Sequence, residues 1–536
     1  MARPTAATTG QLDALDERRQ GFPFEDLPDG VIEVNDVTIG MASNLTRDKR
    51  PLGSSLSIVN GRSRENWVGR RGGYADYVTK PDSNLVLKII GFNGTENDNW
   101  VVRVSVGGIH ATATTTGWTA LSGSAYSAFG RMTHAQMLFS LYLANPQKKI
   151  VKVDLEDLTF AEVSEAPICR YITPFADRLV AAYIHDSASG ILPFGLAWSE
   201  NADPLDWTGD GSGTENLIQN PSDTGDEITG LLGYGNVLII LRERSIWHAV
   251  RQPFQTAPMR FIPIITSQGC DMPYTAVRTV DENGKLTGIM FADKRTNGVF
   301  SYTPGSRPQR ISRLIEDILF EDIADPAKAE GTFLSRYQEY HFGYSTDSSN
   351  PYNMSKYRVF SQETGAWVTD DSPTATTIGV VSDIGAPTVI DDLSGFIDDL
   401  SGVIDGLGGV VFQDPILLKC GTAGEVQDED MATAASHTFT WTSQNIGAVS
   451  RRRLIKIFQL LMSASASGDT VLEFSKDAST WTNIKTISDP SSLSKIGSKR
   501  GFSGDDLYWR VTSKAKEFRF TEWWAKVLEK GLKQLT

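Results

Sequence analysis

Three cysteines in 536 residues, Cys169, Cys270 and Cys420, are too few and too far apart for a disulfide framework, and no CxxC pair is present. That excludes a disulfide-stapled secreted scaffold and fits folding in a reducing cytoplasm. The six histidines, His110, His134, His185, His248, His341 and His437, are isolated, without a second His or Cys at metal-ligand spacing. GxGxxG, HExxH, GxSxG and the Walker A pattern are all missing, so the common nucleotide, zinc-protease and serine-hydrolase signatures are excluded. No apolar run approaches the roughly 18 residues of a bilayer span. The opening MARPTAATTGQLDALDERRQ lacks the apolar core of a secretory signal. Basic charge is in deficit, 51 Lys+Arg against 65 Asp+Glu for a net of −14. This argues against a nucleic-acid clamp but leaves room for a surface along which DNA slides without sticking. A soluble protein made in a cytoplasm is expected.

What the chain does have is strand material. With 40 % hydrophobic and 22 % charged residues it is ordinary for a folded protein, and 48 Gly with 23 Pro imply many turns. Between about Leu85 and Val411 an apolar strand start recurs near Leu87, Leu138, Leu179, Val237, Ile289, Tyr340 and Val411. The successive gaps are about 51, 41, 58, 52, 51 and 71 residues. Most starts are followed by a second, alternating run such as VVRVSVGG (Val101 to Gly108), where Val102, Val104 and Val106 face one way. A period of 40 to 60 residues built from two hairpins is that of a β-propeller blade.

The one long gap has a visible cause. Residues 390–410 read IDDLSGF, IDDLSGV, IDGLGGV, three copies of seven residues, and removing those 21 restores the period to about 50. They are read as an insertion in a blade loop. Ile390, Leu393, Ile397 and Leu400 fit a heptad formally, but five glycines at about 1 kcal/mol each oppose a helix. An extended or turn-rich acidic loop is expected. Its carboxylates Asp391, Asp392, Asp398 and Asp399 do not have the spacing of a calcium loop.

Flanking this body, residues 1–55 read as an N-terminal arm and residues 436–536 as five strands of a small β-sandwich, leaving 56–435 as the propeller-like body. The expected fold class is mainly β. Basic residues gather at Arg62, Arg64, Arg70 and Arg71, and again at Arg451, Arg452 and Arg453. On an acidic chain these are read as contacts to neighbouring subunits. Candidate chemistry is thin. Asp203, Asp206 and Asp210 lie near Trp198 and Trp207, an acid-plus-aromatic mix that binds sugar, yet NADPLDW reads equally well as a loop anchored by its tryptophan. SKDASTW (Ser475 to Trp481) is similar to the sialidase Asp-box but one residue short and without its Gly. It is read as a hairpin turn whose Asp satisfies backbone donors.

The phrases DRLVAAY, LAWSENADPLDW and ITGLLGYGNVLIILRERSIWHAV fall between Asp177 and Val250. With GIMFADKRTNGVFSYTPG (Gly288 to Gly305), the DDLSG-type repeat and the ending VLEFSKDASTW…YWRVTSKAKEFRFTEWW, they resemble the tail nozzle (tail hub, tail tubular protein B) family of short-tailed bacteriophages. The resemblance spans roughly residues 55 to 530. It implies a homo-hexameric ring built around a β-propeller, below the portal and adaptor rings. Such a ring carries genomic DNA outward without binding it specifically and docks tail fibres or spikes. It implies a virion protein assembled in the host bacterial cytoplasm, with no catalytic residue, cofactor, metal or membrane span. Six acidic copies would repel phosphates from the channel wall, and Asp391, Asp392, Asp398 and Asp399 are then expected near its distal end, as part of a gate. Two other readings stay open at this point: a tail-associated polysaccharide depolymerase or glycosidase, and a carbohydrate-binding adhesin using the C-terminal sandwich.

Overall fold

In a computed structural model the described residues are 30–530, except 35, 46–48, 52, 94–98, 115, 124–125, 127–129, 187–189, 218–224, 255–256, 282–283, 372–373, 383–414, 431–437, 446–451, 465–467, 489–493, 499–501, 505 and 516–517. Apart from single 3₁₀ turns, every regular element among them is a strand. The organising unit is a four-stranded antiparallel meander, and it occurs seven times. The first strands of the seven meanders are Val86–Asn93, Thr133–Met137, Ile168–Phe175, Ile228–Tyr234, Val277–Val280, Glu330–Leu334 and Thr377–Ser382. These lie innermost. The outermost strands of the first six are Thr119–Ala120, Thr159–Glu162, Gly213–Asn216, Met259–Ile265, Gln309–Arg310 and Trp367–Asp370.

Blade 7 takes its outer strand from far upstream. Gly73–Asp76 pairs with Val426–Asp430, Tyr74 opposite Glu429, so that the start of the body closes its end. Closure is equally visible in the packing. A separate buried apolar cluster fills each seam, from Leu87/Leu141 between blades 1 and 2 round to Val86/Leu418 between blades 7 and 1. Each blade hides both faces, which is why its middle strands, such as Val237–Arg242 and Leu286–Asp293, read as continuous Ile/Leu/Val/Phe runs. The body is a seven-bladed β-propeller. Six of the strand starts read from the sequence fall one to a blade in blades 1 to 6, and the seventh, Val411, lies outside the described residues.

The second unit departs from the expected boundaries. Residues 30–70, assigned from sequence to the arm and the start of the body, form strands of the C-terminal sandwich. Gly30–Val34 pairs with Arg519–Lys530 (Gly30 opposite Val527), and Ser55–Val59 pairs with Phe439–Ser443. Trp67–Arg70 pairs with Arg519–Lys530 as well. Trp441, Trp509, Trp523, Phe518 and Phe520 fill the space between the sheets, with Trp441 and Trp509 centroids 4.6 Å apart. A parallel bridge, Val59 opposite Thr369, continues the outer edge of blade 6 into this sandwich.

Candidate functional site

Strand direction gives the propeller two unlike faces. The front carries the turns between the first and second strands, and between the third and fourth, of every blade. At the front turn of blade 2, Met137 pairs with Ser140, which leaves Leu138 and Phe139 as the two turn residues. Both take left-handed backbone, φ 48° and 58°, and their side chains are 54 % and 69 % exposed. A two-residue turn of this kind favours Asn-Gly, and a Leu or Phe there is strained. Among the described residues seven large apolar side chains are exposed. Leu138, Phe139, Leu205, Val250 and Phe254 lie on the front of blades 2 to 4; only Ile191 and Ile264 lie toward the back. Exposed apolar side chains concentrated on one face point to an interaction face.

The basic residues expected to meet neighbouring subunits are largely engaged inside the chain. The Arg62 guanidinium donates to Glu339 (3.1 Å) and to Glu429 (2.9 Å), and Arg71 donates to the same two carboxylates at 3.0 and 3.3 Å. Both arginines and Glu339 are buried and Glu429 is largely covered, and together they join the sandwich to blades 6 and 7. Burial alone would push the Glu339 carboxyl up, but Arg62 and Arg71, with His341 behind them, hold it well below the carboxylate range. Arg70 is also buried and donates to the carbonyls of Lys514 and Ala515. Arg64 pairs with Glu363 at 2.9 Å and stays partly exposed. Arg452 and Arg453 sit opposite Lys530 and Glu529 in the sandwich, and Arg451 lies outside the described residues. So Arg62, Arg70 and Arg71 are intramolecular ties, a correction that sequence could not supply because Glu339 lies 277 residues from Arg62.

Asp391, Asp392, Asp398 and Asp399 lie outside the described residues. The strands on either side of them are paired, Ser382 opposite Pro415, at the innermost front hairpin of blade 7.

The Asp203–Asp210 loop is held by its own carboxylates. Asp206 accepts from the Thr208 and Gly209 amides (2.9 and 2.8 Å), and Glu200 from those of Asn201 and Gly211 (2.8 and 2.5 Å). These backbone bonds lower both acids, whereas a general acid in glycoside cleavage needs a raised one. Trp207 donates to the Pro204 carbonyl at 3.0 Å, and Trp198 is buried against Phe261 between blades 3 and 4. Asp477 accepts from the Ser479 and Thr480 amides at 2.8 and 2.7 Å, the turn-closing role expected of it. Among the described residues no group of three or more His, Cys, Asp and Glu is placed to hold a metal ion. The three cysteines are buried and free, their thiols pushed up by burial.

No protein-family model and no curated protein matches this chain. Among solved structures it is similar to a streptogramin B lyase (11 % identity, 67 % of this chain and 97 % of that chain covered, TM-score 0.38). It is also similar to the WD40 domain of SCAP from fission yeast (10 % identity, 64 % and 81 % covered, TM-score 0.29). Neither likeness speaks to activity. The propeller stands on the strand order and seams given above.

One carboxyl pair was not singled out from sequence. Asp271, in the link between blades 4 and 5, is pushed up to about 6 by burial and by the neighbouring Asp293 carboxyl at the end of Leu286–Asp293. It also accepts from the Lys294 and Arg295 amides at 2.6 and 2.9 Å. An acid whose folded pKa is raised stabilises the fold below its unfolded value, and that contribution is lost as pH rises through about 6. Asp271→Asn mimics the protonated form. The melting temperature of the wild type relative to this variant is therefore expected to fall steadily from pH 4 to pH 7; a gap independent of pH would refute the assignment.

Proposed function

We propose that this chain is a structural subunit of a short-tailed phage tail, a nozzle or hub that self-associates into a six-membered ring extending the DNA-ejection channel. The observation that carries this reading is the front face of blades 2 to 4, where two strained, exposed apolar residues crown a hairpin and three further exposed apolar side chains lie on the same face. A lone soluble domain gains nothing from such a turn; a subunit buried against a second copy does. The two-unit build, with an ionic tie locking the sandwich to blades 6 and 7, suits a rigid part under load.

The DNA path in this reading is the hole between subunits. The propeller's own axis is narrow and cross-linked, since Glu330 of blade 6 takes hydrogen bonds from Lys88 of blade 1 and from Arg131 (2.9 Å) in the link between blades 1 and 2. With −14 formal charges on each chain, a six-membered ring presents an acidic wall to passing phosphates. The portal-side and fibre-side partners follow from the ring's position in the tail.

Native mass measurement and electron cryo-microscopy of the full chain test the proposal. A six-fold ring with the front of blades 2 to 4 at the subunit boundary is the expected result; a solitary monomer at micromolar concentration sinks it. The depolymerase reading is separated by incubating the chain with host polysaccharide, from which no oligosaccharide release is expected.

A further inference from the structure

The two units carry opposite charge. Residues 436–536 hold 16 Lys and Arg against 9 Asp and Glu, while the 435 residues before them hold 35 against 56. A net of +7 therefore sits beside a net of −21 in one chain. The excess gathers on one layer of the sandwich, the sheet in which Arg452–Ser463 lies between Arg519–Lys530 and Ser494–Ser498. These three strands hold seven bases, Lys456, Lys495 and Lys526 among them, against two acids, Glu522 and Glu529. The two long strands also contain LIKIFQLLM and WWAKVL, apolar at nearly consecutive positions, which is the pattern of strands covered on both faces. Phe518, Phe520, Trp523 and Ala525 supply the inner cover, against the sandwich core. The pattern calls for an outer cover as well.

The front of blades 2 to 4 has the complementary character. Glu156 and Asp157 in the outer front turn of blade 2, and Asp203 and Asp210 in that of blade 3, are exposed on the same face as Leu138, Phe139, Leu205 and Phe254. Among the described residues two exposed bases stand there, Arg251 and Arg260, and Arg251 is paired with Asp177 at 2.6 Å.

A closed ring of six needs a heterologous contact, in which one patch of a subunit meets a different patch of the next. We propose that the basic sheet of the sandwich seats on the acidic, apolar front of blades 2 to 4 of a second copy. This rests on the ring reading and supplies its second surface. Like charges oppose sandwich on sandwich and propeller on propeller, so the charge division also sets the head-to-tail direction and steers the encounter. Duplex DNA is the other polyanion that a unit of +7 could hold. The apolar runs favour a protein partner, because a phosphate surface gives no cover to Ile, Leu and Trp.

The test is native mass measurement of full-length chains across a concentration series, with a melting curve on each sample. One chain carries Lys456→Glu, Lys495→Glu and Lys526→Glu; a second carries Glu156→Lys, Asp157→Lys and Asp203→Lys; a third carries both sets. Each reversal alone should raise the concentration of half-assembly about ten- to a hundred-fold. The third chain should recover toward the wild type, because the pairing returns with its signs exchanged, and that recovery shows the reversed sheet still folds. Glutamine at the three lysine positions, a milder change, should fall between wild type and reversal. Arg244→Glu with Lys356→Glu, exposed at the back of blades 4 and 6, should leave assembly unaltered. A wild-type ring indifferent to reversal of the sheet overturns the interface and leaves the ring reading standing; a wild-type monomer sinks both. An assembly of another size that responds to both reversals and recovers in the third chain keeps the interface and loses the six-membered ring. If reversal of the sheet spares assembly but abolishes binding of a labelled duplex DNA, the sheet belongs to nucleic acid and the proposal fails.

Discussion

Replacing Glu339 by alanine is expected to destabilise the fold by about 3–5 kcal/mol, because it leaves two buried guanidinium groups facing one remaining carboxylate. Arg71 is fully buried and Arg62 nearly so, and neither reaches water once its partner is gone. Glu429 already accepts from both guanidinium groups through one oxygen and from the Gly72 amide (3.0 Å) through the other, so it has a single negative charge to set against two positive ones. Urea unfolding followed by the fluorescence of the sandwich tryptophans, Trp441, Trp509 and Trp523, reads the effect where it should be largest. The comparison variant is Arg64→Ala, whose half-exposed pair with Glu363 is worth about 0–1 kcal/mol. Equal effects of the two changes would mean that the buried cluster is no lock. The sign with pH follows from the direction of the Glu339 shift. A depressed carboxyl stabilises above its unfolded pKa and is lost only as pH falls through the folded value, so the tie should survive mild acid.

This cluster also marks where sequence reading reached its limit. Blades were legible because each is local: hydrophobic period, turn residues and a second hairpin recur within about 50 residues. The insertion at 390–410 was legible for the same reason, as a disturbance of that period. Pairing between distant segments leaves no such trace. Gly30–Val34 looks the same whether it pairs with a neighbouring hairpin or, as here, with a strand nearly 500 residues on. The run of arginines from Arg62 to Arg71 reads as a docking surface for a neighbouring subunit until Glu339 and Glu429 are brought to it. At Leu138–Phe139 the failure was chemical. MLFSLYL contains no Gly, Asn, Asp or Pro, so nothing in it signals a turn. The front face was missed because the fold places apolar residues where turn chemistry would have placed polar ones.

That exception gives the second large effect. Replacing Leu138-Phe139 with Asn-Gly supplies the turn with the residues its backbone prefers and removes the apolar tip in one step. The monomer is expected to become more stable by about 1 kcal/mol, since left-handed backbone is unfavourable by roughly 1–2 kcal/mol per ordinary residue. Assembly is expected to fail. Burying a Leu and a Phe contributes about 1.5–3 kcal/mol each, and a ring repeats that contact at every boundary, so losing it shifts the population strongly toward monomer. Light scattering across a concentration series, with a melting curve on the same samples, separates the two effects. A more stable chain that no longer forms rings would identify the strained turn as an assembly element held against the interest of the fold. A more stable chain that assembles as before would place the subunit boundary elsewhere. A less stable one would mean that Leu138 and Phe139 serve the monomer, and the front face of blades 2 to 4 would lose its claim.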